Sequence, residues 1–162
     1  MTLKGIFKGR NQKGFTLVEL LVVIAIIGVL ATLVLLQLGT ARARARDTKR
    51  ITDVNQIRTS VEQYYEDNGG KYPVALDVAS IGKYLTKIPV DPLTGAAYGY
   101  AWNPNSNPTQ YQVWATLEQT AAALNGDGDI NSTSWGGGAK VNGDDTNCKT
   151  TPAACIYDQG IQ

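Results

Sequence analysis

Glu19 is the one charged side chain in a run of 24 residues, 15–38, that is otherwise apolar apart from Thr16, Thr32 and Gln37. A carboxylate inside a lipid-embedded helix is costly, so it marks a functional position whose partner has to be named. Near the other end, Asn125, Asp127, Asp129 and Asn131 place oxygen side chains at alternate positions. A calcium loop uses this pattern, because successive ligands must converge on one hard cation. The same residue types also simply make turns. An EF-hand is excluded, since counting from Asn125 puts Ile130 at the sixth place and Gly136 at the twelfth. Cys148 and Cys155 enclose six residues, which is not the Cys-x-x-Cys spacing of a redox thiol pair. The chain has no histidine, so the commonest general base and the commonest metal ligand are missing. With two cysteines, a zinc site built from four Cys and His ligands is excluded by counting. The glycines 136–138 follow a polar loop rather than a strand, so they make no phosphate loop. An enzyme is not expected.

The elements that carry these residues differ sharply along the 162-residue chain. From Leu20 to Leu36, 13 of 17 residues are Leu, Ile or Val, which favours bilayer insertion by about 4–8 kcal/mol. As a helix, residues 15–38 extend about 36 Å, enough to span a hydrocarbon core. This is a membrane segment. It is too long for the apolar region of a cleaved secretory signal, and the following Leu38-Gly39-Thr40-Ala41-Arg42-Ala43 is a poor cleavage site set among arginines. Residues 1–58 carry ten Lys or Arg against Glu19, Asp47 and Asp53, a net of +7, while residues 59–162 carry a net of −6. Such a bipolar chain has a membrane-facing end and a solvent-facing end. Basic residues flank the segment on both sides, so the positive-inside rule does not orient it.

Beyond the membrane segment, Ile51, Val54, Ile57, Val61, Tyr64 and Tyr65 recur at helical spacing and define one apolar face. Gly69 and Gly70 then supply a C-terminal stop, and Pro73 prevents resumption. One helix over residues 15–68 is expected, about 80 Å long, with Gly39 and Thr40 as its soft point. Between the two halves, residues 41–50 alternate Ala with Arg. They read as a basic collar for anionic lipid or for ion pairing between subunits. A nucleic-acid patch is the alternative, and no aromatic interleaves to stack on bases. After Gly70 the composition becomes that of a small head. A short helix is expected over 75–85, a turn-rich connection over 87–97, and strands over 98–102 and 111–118 joined by a loop at 103–108. In the second strand Tyr111, Val113, Ala115 and Leu117 are expected inward, and Gln112, Trp114, Thr116 and Glu118 outward.

The junction Gln12-Lys13-Gly14-Phe15-Thr16-Leu17-Val18-Glu19-Leu20-Leu21 resembles the prepilin signature shared by type IV pilins and type II secretion pseudopilins. The resemblance implies a basic leader, residues 1–14, cut after Gly14 by a membrane peptidase on the cytoplasmic side. Phe15 would then be N-methylated. It implies an inner-membrane precursor with a cytoplasmic N-terminus and an extracytoplasmic head, assembling with copies of itself through a membrane platform and an assembly ATPase. In a filament of parallel helices, the new Phe15 amine and a neighbour's Glu19 would neutralise one another, since a buried pair is tolerable where either charge alone is not. Tyr72-Pro73, Ile88-Pro89-Val90-Asp91-Pro92 and Tyr98-Gly99-Tyr100 are similar to the head of the major pseudopilin. Asp129-Ile130 followed by Trp135 resembles the end of that protein's calcium loop, which makes Asn125, Asp127 and Asp129 candidate ligands, with Asp144 and Asp145 as additional ones. In the oxidising space this topology implies, Cys148 and Cys155 would form a disulfide, as pilins commonly do. The implied fold is α+β: a long N-terminal helix on a small antiparallel head with a disulfide-closed C-terminus. It divides as 1–14 leader, 15–40 membrane and filament-core helix, 41–70 amphipathic continuation, and 71–162 head. Pilus and secretion pseudopilus share these residues; a monomeric tethered binding module is the rival.

Overall fold

The computed structural model describes residues 14–144, 148 and 155–162. It forms two compact units, one up to Gly39 and one from Thr40 to Gln162. Helix α1, Leu17–Asp67, contributes to both. Its continuity follows from the residues: residues 17–67 contain no proline, and the alternating Ala and Arg of the middle are good helix formers. It ends where Gly69 and Gly70 take positive φ, 67° and 76°, which a residue with a Cβ adopts only under strain.

In the first unit every residue from Leu17 to Leu38 is exposed. In the second, the expected apolar face is the buried one. Val54, Ile57 and Val61 are wholly inaccessible and share one cluster with Tyr72, Tyr100, Tyr111, Val113, Leu117 and Tyr157. Each such aliphatic side chain contributes roughly 1.5–3 kcal/mol. Tyr65 stacks on Tyr72 and Tyr72 on Tyr111, with ring centroids 4.5 Å apart in both pairs.

The sheet has four strands in the order β3-β1-β2-β4: β1 Gly99–Asn103, β2 Gln110–Thr116, β3 Gly137–Gly138 and β4 Ile156–Ile161. All three pairings are antiparallel, with Tyr100 opposite Val113 and Val113 opposite Gln159. The expected hairpin is present; β3 and β4 are additions to it. Helix α2 is shorter than expected, Val78–Ile81, because the Asp77 side chain accepts the Ser80 N–H and fixes its start while the Gly82 N–H closes its end on Val78.

The second strand alternates as expected and Thr116 is exposed, but its outward face is not all open to solvent. Gln112 is fully buried and Trp114 half-buried. The far face of the sheet is covered as well, by a second cluster of Ala101, Ile130 and Trp135 on which Trp114 packs. The segment that runs from a 3-10 turn, Ala122–Gly126, to Gly143 supplies that cover.

Candidate functional site

Gly14 and Phe15 lie ahead of α1 and are exposed, Phe15 to 85%. Thr16 caps the helix. Its hydroxyl accepts the Glu19 N–H at 3.2 Å, while its own N–H and hydroxyl donate to Glu19 Oε2 at 2.8 and 2.7 Å. This is a reciprocal capping box, which satisfies donors that the first turn leaves unpaired. It gives Glu19 a local role within one subunit beside any intersubunit one, and it holds the carboxylate at the helix start. The Thr-x-x-Glu spacing ahead of an apolar run was the available signal.

Two arginines of the basic stretch, Arg46 and Arg50, are engaged with the head, while Arg42 and Arg44 are exposed. Arg46 makes a two-pronged pair with Glu118, Nε to Oε1 at 2.7 Å and Nη2 to Oε2 at 2.6 Å. Arg50, 4% exposed in its side chain, donates from Nη1 to Asp47 and to Glu118, each at 2.7 Å, and from Nε to Asp91 at 2.5 Å. Asp47 also accepts the backbone N–H groups of Glu118 and Gln119 at 2.9 and 3.0 Å. Lys49 pairs with Asp53 at 3.0 Å, and Tyr98 donates its hydroxyl to Asp53 at 2.8 Å. The Arg46 hydrogen bond lowers the Glu118 carboxyl to about 2. The Arg50 hydrogen bond likewise holds Asp91 well below the usual carboxylate range. Burial opposes the charge of Arg50, yet its hydrogen bonds to Asp91, Glu118 and Asp47 outweigh that and raise its pKa. A groove of about 480 Å³ lies beside this cluster, lined among others by Arg50, Asp91, Tyr98, Trp114 and Glu118. Its carboxylates are held ionised, so neither supplies a general acid near neutral pH.

At the sheet's far face, Asp158 of β4 is fully buried, and its carboxylate accepts from Gly128 N–H at 3.1 Å, Ile130 N–H at 2.9 Å and Gln112 Nε2 at 2.6 Å. Burial raises its pKa, and these hydrogen bonds pull in the opposite direction. The Asp158 N–H in turn donates to Asp127 Oδ2 at 3.2 Å. Asn125 lies within the 3-10 turn, and Asp129, at φ 44°, is exposed. Among the described residues no group of three or more Asp, Glu, His or Cys is placed to hold a metal ion. The backbone amides of this segment converge on a carboxylate instead. Asp144 is exposed, and Asp145 lies outside the described residues. Cys148 and Cys155 form the disulfide, and the Cys155 carbonyl accepts the Leu117 N–H at 2.7 Å just beyond β2.

A family model described as the prokaryotic N-terminal methylation motif matches residues 9–35. The type IV wide pilus major component PilA4 of Thermus thermophilus is 49% identical over 36% of this chain and 45% of its own length. The type II secretion system core protein G of Dickeya chrysanthemi is 41% identical over 40% of this chain and 41% of its own. The chain thus spans less than half the length of these two relatives. The match to core protein G of Aeromonas hydrophila runs further, 32% identical over 51% of this chain and 68% of that protein. This chain belongs to the type IV pilin and type II secretion pseudopilin family. Core protein G of Pseudomonas aeruginosa PAO1 is likewise 32% identical over 56% of the chain and 74% of its own length. No solved structure matches.

Phe15 and Glu19 belong to the unit with the exposed apolar half of α1, while Cys148 and Cys155 form a disulfide just ahead of β4. Arg46, Arg50, Asp91, Glu118 and Asp158 are among the buried or half-buried polar residues of the head; sequence reasoning read the two arginines only as part of a basic stretch and gave Asp158 no role.

Proposed function

We propose that this chain is a structural subunit of a type IV pilus or pilus-like filament. It starts as an inner-membrane precursor with a cytoplasmic N-terminus, is cut between Gly14 and Phe15 by a prepilin peptidase that methylates Phe15, and polymerises through α1. The observation that carries this reading is the contrast within one helix. Residues 17–38 expose their Leu, Ile and Val side chains, while Val54, Ile57 and Val61 of the same helix are fully covered by the head. An apolar helical face of that size is stable only in lipid or against neighbours like itself. A filament core of parallel helices replaces lipid with copies of the same surface. In this scheme Glu19, held at the helix start by Thr16, pairs with a neighbour's Phe15 amine. Copies of the chain, the membrane platform and the assembly ATPase are the partners this scheme requires.

The pseudopilus of a type II secretion system is the second reading. It is favoured by the alignments with core protein G, which cover 68% and 74% of those proteins. Deleting the gene separates the two: loss of surface fibres marks a pilus, and loss of secreted protein from the medium marks a pseudopilus. Calcium binding by Asn125, Asp127 and Asp129 is supported by their spacing and by the resemblance of Asp129-Ile130 and Trp135 to a pseudopilin calcium loop; a calcium titration that leaves the melting temperature of the full chain unchanged removes it.

The test of assembly is Glu19→Ala. Filaments sheared from the cells should vanish while processed subunit stays in the membrane. A monomeric tether, for which α1 is only an anchor, would be indifferent to this change, and filaments formed at the wild-type level would overturn the proposal.

A further inference from the structure

The segment Asp129-Ile130-Asn131-Ser132-Thr133 alternates between solvent and core. Asp129, Asn131 and Thr133 are exposed, while Ile130 is 3% exposed and Ser132 is fully buried. The buried residues are pinned. Ser132 donates its N–H to the Val141 carbonyl at 3.0 Å, and its hydroxyl accepts the Val141 N–H at 3.0 Å. Ile130 gives its N–H to Asp158 at 2.9 Å and its carbonyl to the Gly143 N–H at 2.9 Å. This backbone holds the three outward side chains in place.

The Asn131 carboxamide is oriented as well. Its Oδ1 accepts the Thr133 N–H at 3.1 Å and the Thr133 hydroxyl at 2.6 Å. Among the described residues its Nδ2 donates to nothing, so the amide nitrogen is the side of the group left to solvent. Asn131-Ser132-Thr133 is an Asn-x-Thr acceptor sequence with no proline between, the sole Asn-x-Ser/Thr of that kind in the chain. Asn107-Pro108-Thr109 has the excluded proline. An extended strand alternates polar and apolar residues for burial alone. Burial does not require an acid two places before the asparagine, a hydroxyl two places after it, and the hydroxyl bonded to the amide oxygen.

We propose that Asn131 is an acceptor for N-linked glycosylation by a membrane oligosaccharyltransferase that reads an acidic residue two positions before the asparagine and takes its glycan from a polyprenyl pyrophosphate. The bond formed joins Asn131 Nδ2 to the anomeric carbon of the glycan. The bond broken joins that carbon to the pyrophosphate oxygen, and the lipid pyrophosphate leaves with the bonding pair. One proton from Nδ2 passes to a base of the transferase, and nothing is oxidised or reduced. Thr133 positions the amide and offers its hydroxyl to the enzyme; Asp129 supplies the negative charge. The inference rests on the extracytoplasmic placement of the head.

The experiment is the intact mass and peptide map of the full chain from its native membrane or filaments. The expected result is a mass above that of the polypeptide, located on the peptide that contains Asn131, with Asn107 unmodified. Asn131→Gln and Thr133→Val should abolish the increment, Thr133→Ser should keep it, and Asp129→Asn should reduce the modified fraction. A mature chain beginning at Phe15 with Asn131 unmodified would overturn this inference alone. An increment that persists in Asn131→Gln would overturn it too. A chain beginning at Met1 would overturn the assembly reading instead, which the same mass spectrum reports separately.

Discussion

Replacing Arg50 by Met removes the centre of the ion cluster while keeping most of the side chain's apolar volume. Arg50 is 4% exposed and meets Asp47, Asp91 and Glu118, whose side chains are 5%, 16% and 26% exposed. Taking one partner from a buried ion pair costs about 3–5 kcal/mol, because the remaining charges stay desolvated. Each carboxylate here keeps other donors. Asp47 retains two backbone N–H groups, Asp91 retains those of Leu93 and Thr94, and Glu118 retains Arg46. The loss should therefore fall at the low end, about 3 kcal/mol. The exposed pair Lys83 with Asp67, 73% and 48% exposed, should contribute far less, because solvent screens it. Urea unfolding of the full chain in detergent, followed by the near-ultraviolet circular dichroism of the head's aromatics, measures both. Acid supplies a second readout. Glu118 titrates at about 2 in the folded chain, and Asp91 is held lower, against an unfolded range of about 4–4.5. A carboxyl lowered by folding contributes fully above its unfolded pKa and loses that contribution as pH falls through the folded one. Wild-type stability should thus fall from about pH 4.5 toward pH 2, and Arg50→Met should flatten that limb. A variant that loses less than about 1 kcal/mol, the surface-pair range, with the acid limb unchanged, would refute the reasoning.

Gly143→Ala should destabilise the head by about 1–3 kcal/mol, since a Cβ there would run into the Asp158 carboxylate and the Ile130 N–H. Gly126→Ala, where a Cβ meets open space, should stay within about 0.5 kcal/mol in the same urea assay. Replacing Cys148 and Cys155 by Ser opens a loop with a sequence separation of 7, which should lower stability by about 2.5 kcal/mol on chain-entropy grounds; an unchanged urea midpoint would contradict this.

The legible parts of the fold were those in which one kind of side chain repeats. The apolar run to Leu38, the face made by Val54, Ile57 and Val61, and the strands around Tyr100 and Tyr111 follow from composition and period. Strand β4 was not legible, because Asp158 and Gln159 break its apolar pattern. Gln112 was read as outward for the same reason. Gln112 and Asp158 meet in the interior, Gln112 Nε2 donating to Asp158 Oδ2 at 2.6 Å across two adjacent strands. Such pairing depends on partners 46 positions apart in the chain, which no local pattern contains. The ion pairs of Arg46 and Arg50 were hidden on the same ground: they find Glu118 at separations of 72 and 68 residues. The Thr16 and Glu19 box was present at short range, but the apolar segment drew attention to the charge of Glu19 rather than to the cap it completes.

The central claim is that the chain is a processed precursor that polymerises through its exposed apolar helix. The N-terminal residue of the protein recovered from sheared fibres or from its native membrane tests it most directly. The account predicts a chain beginning at N-methylated Phe15, with residues 1–14 gone. Recovery of a stable assembled chain that still begins at Met1 would contradict it.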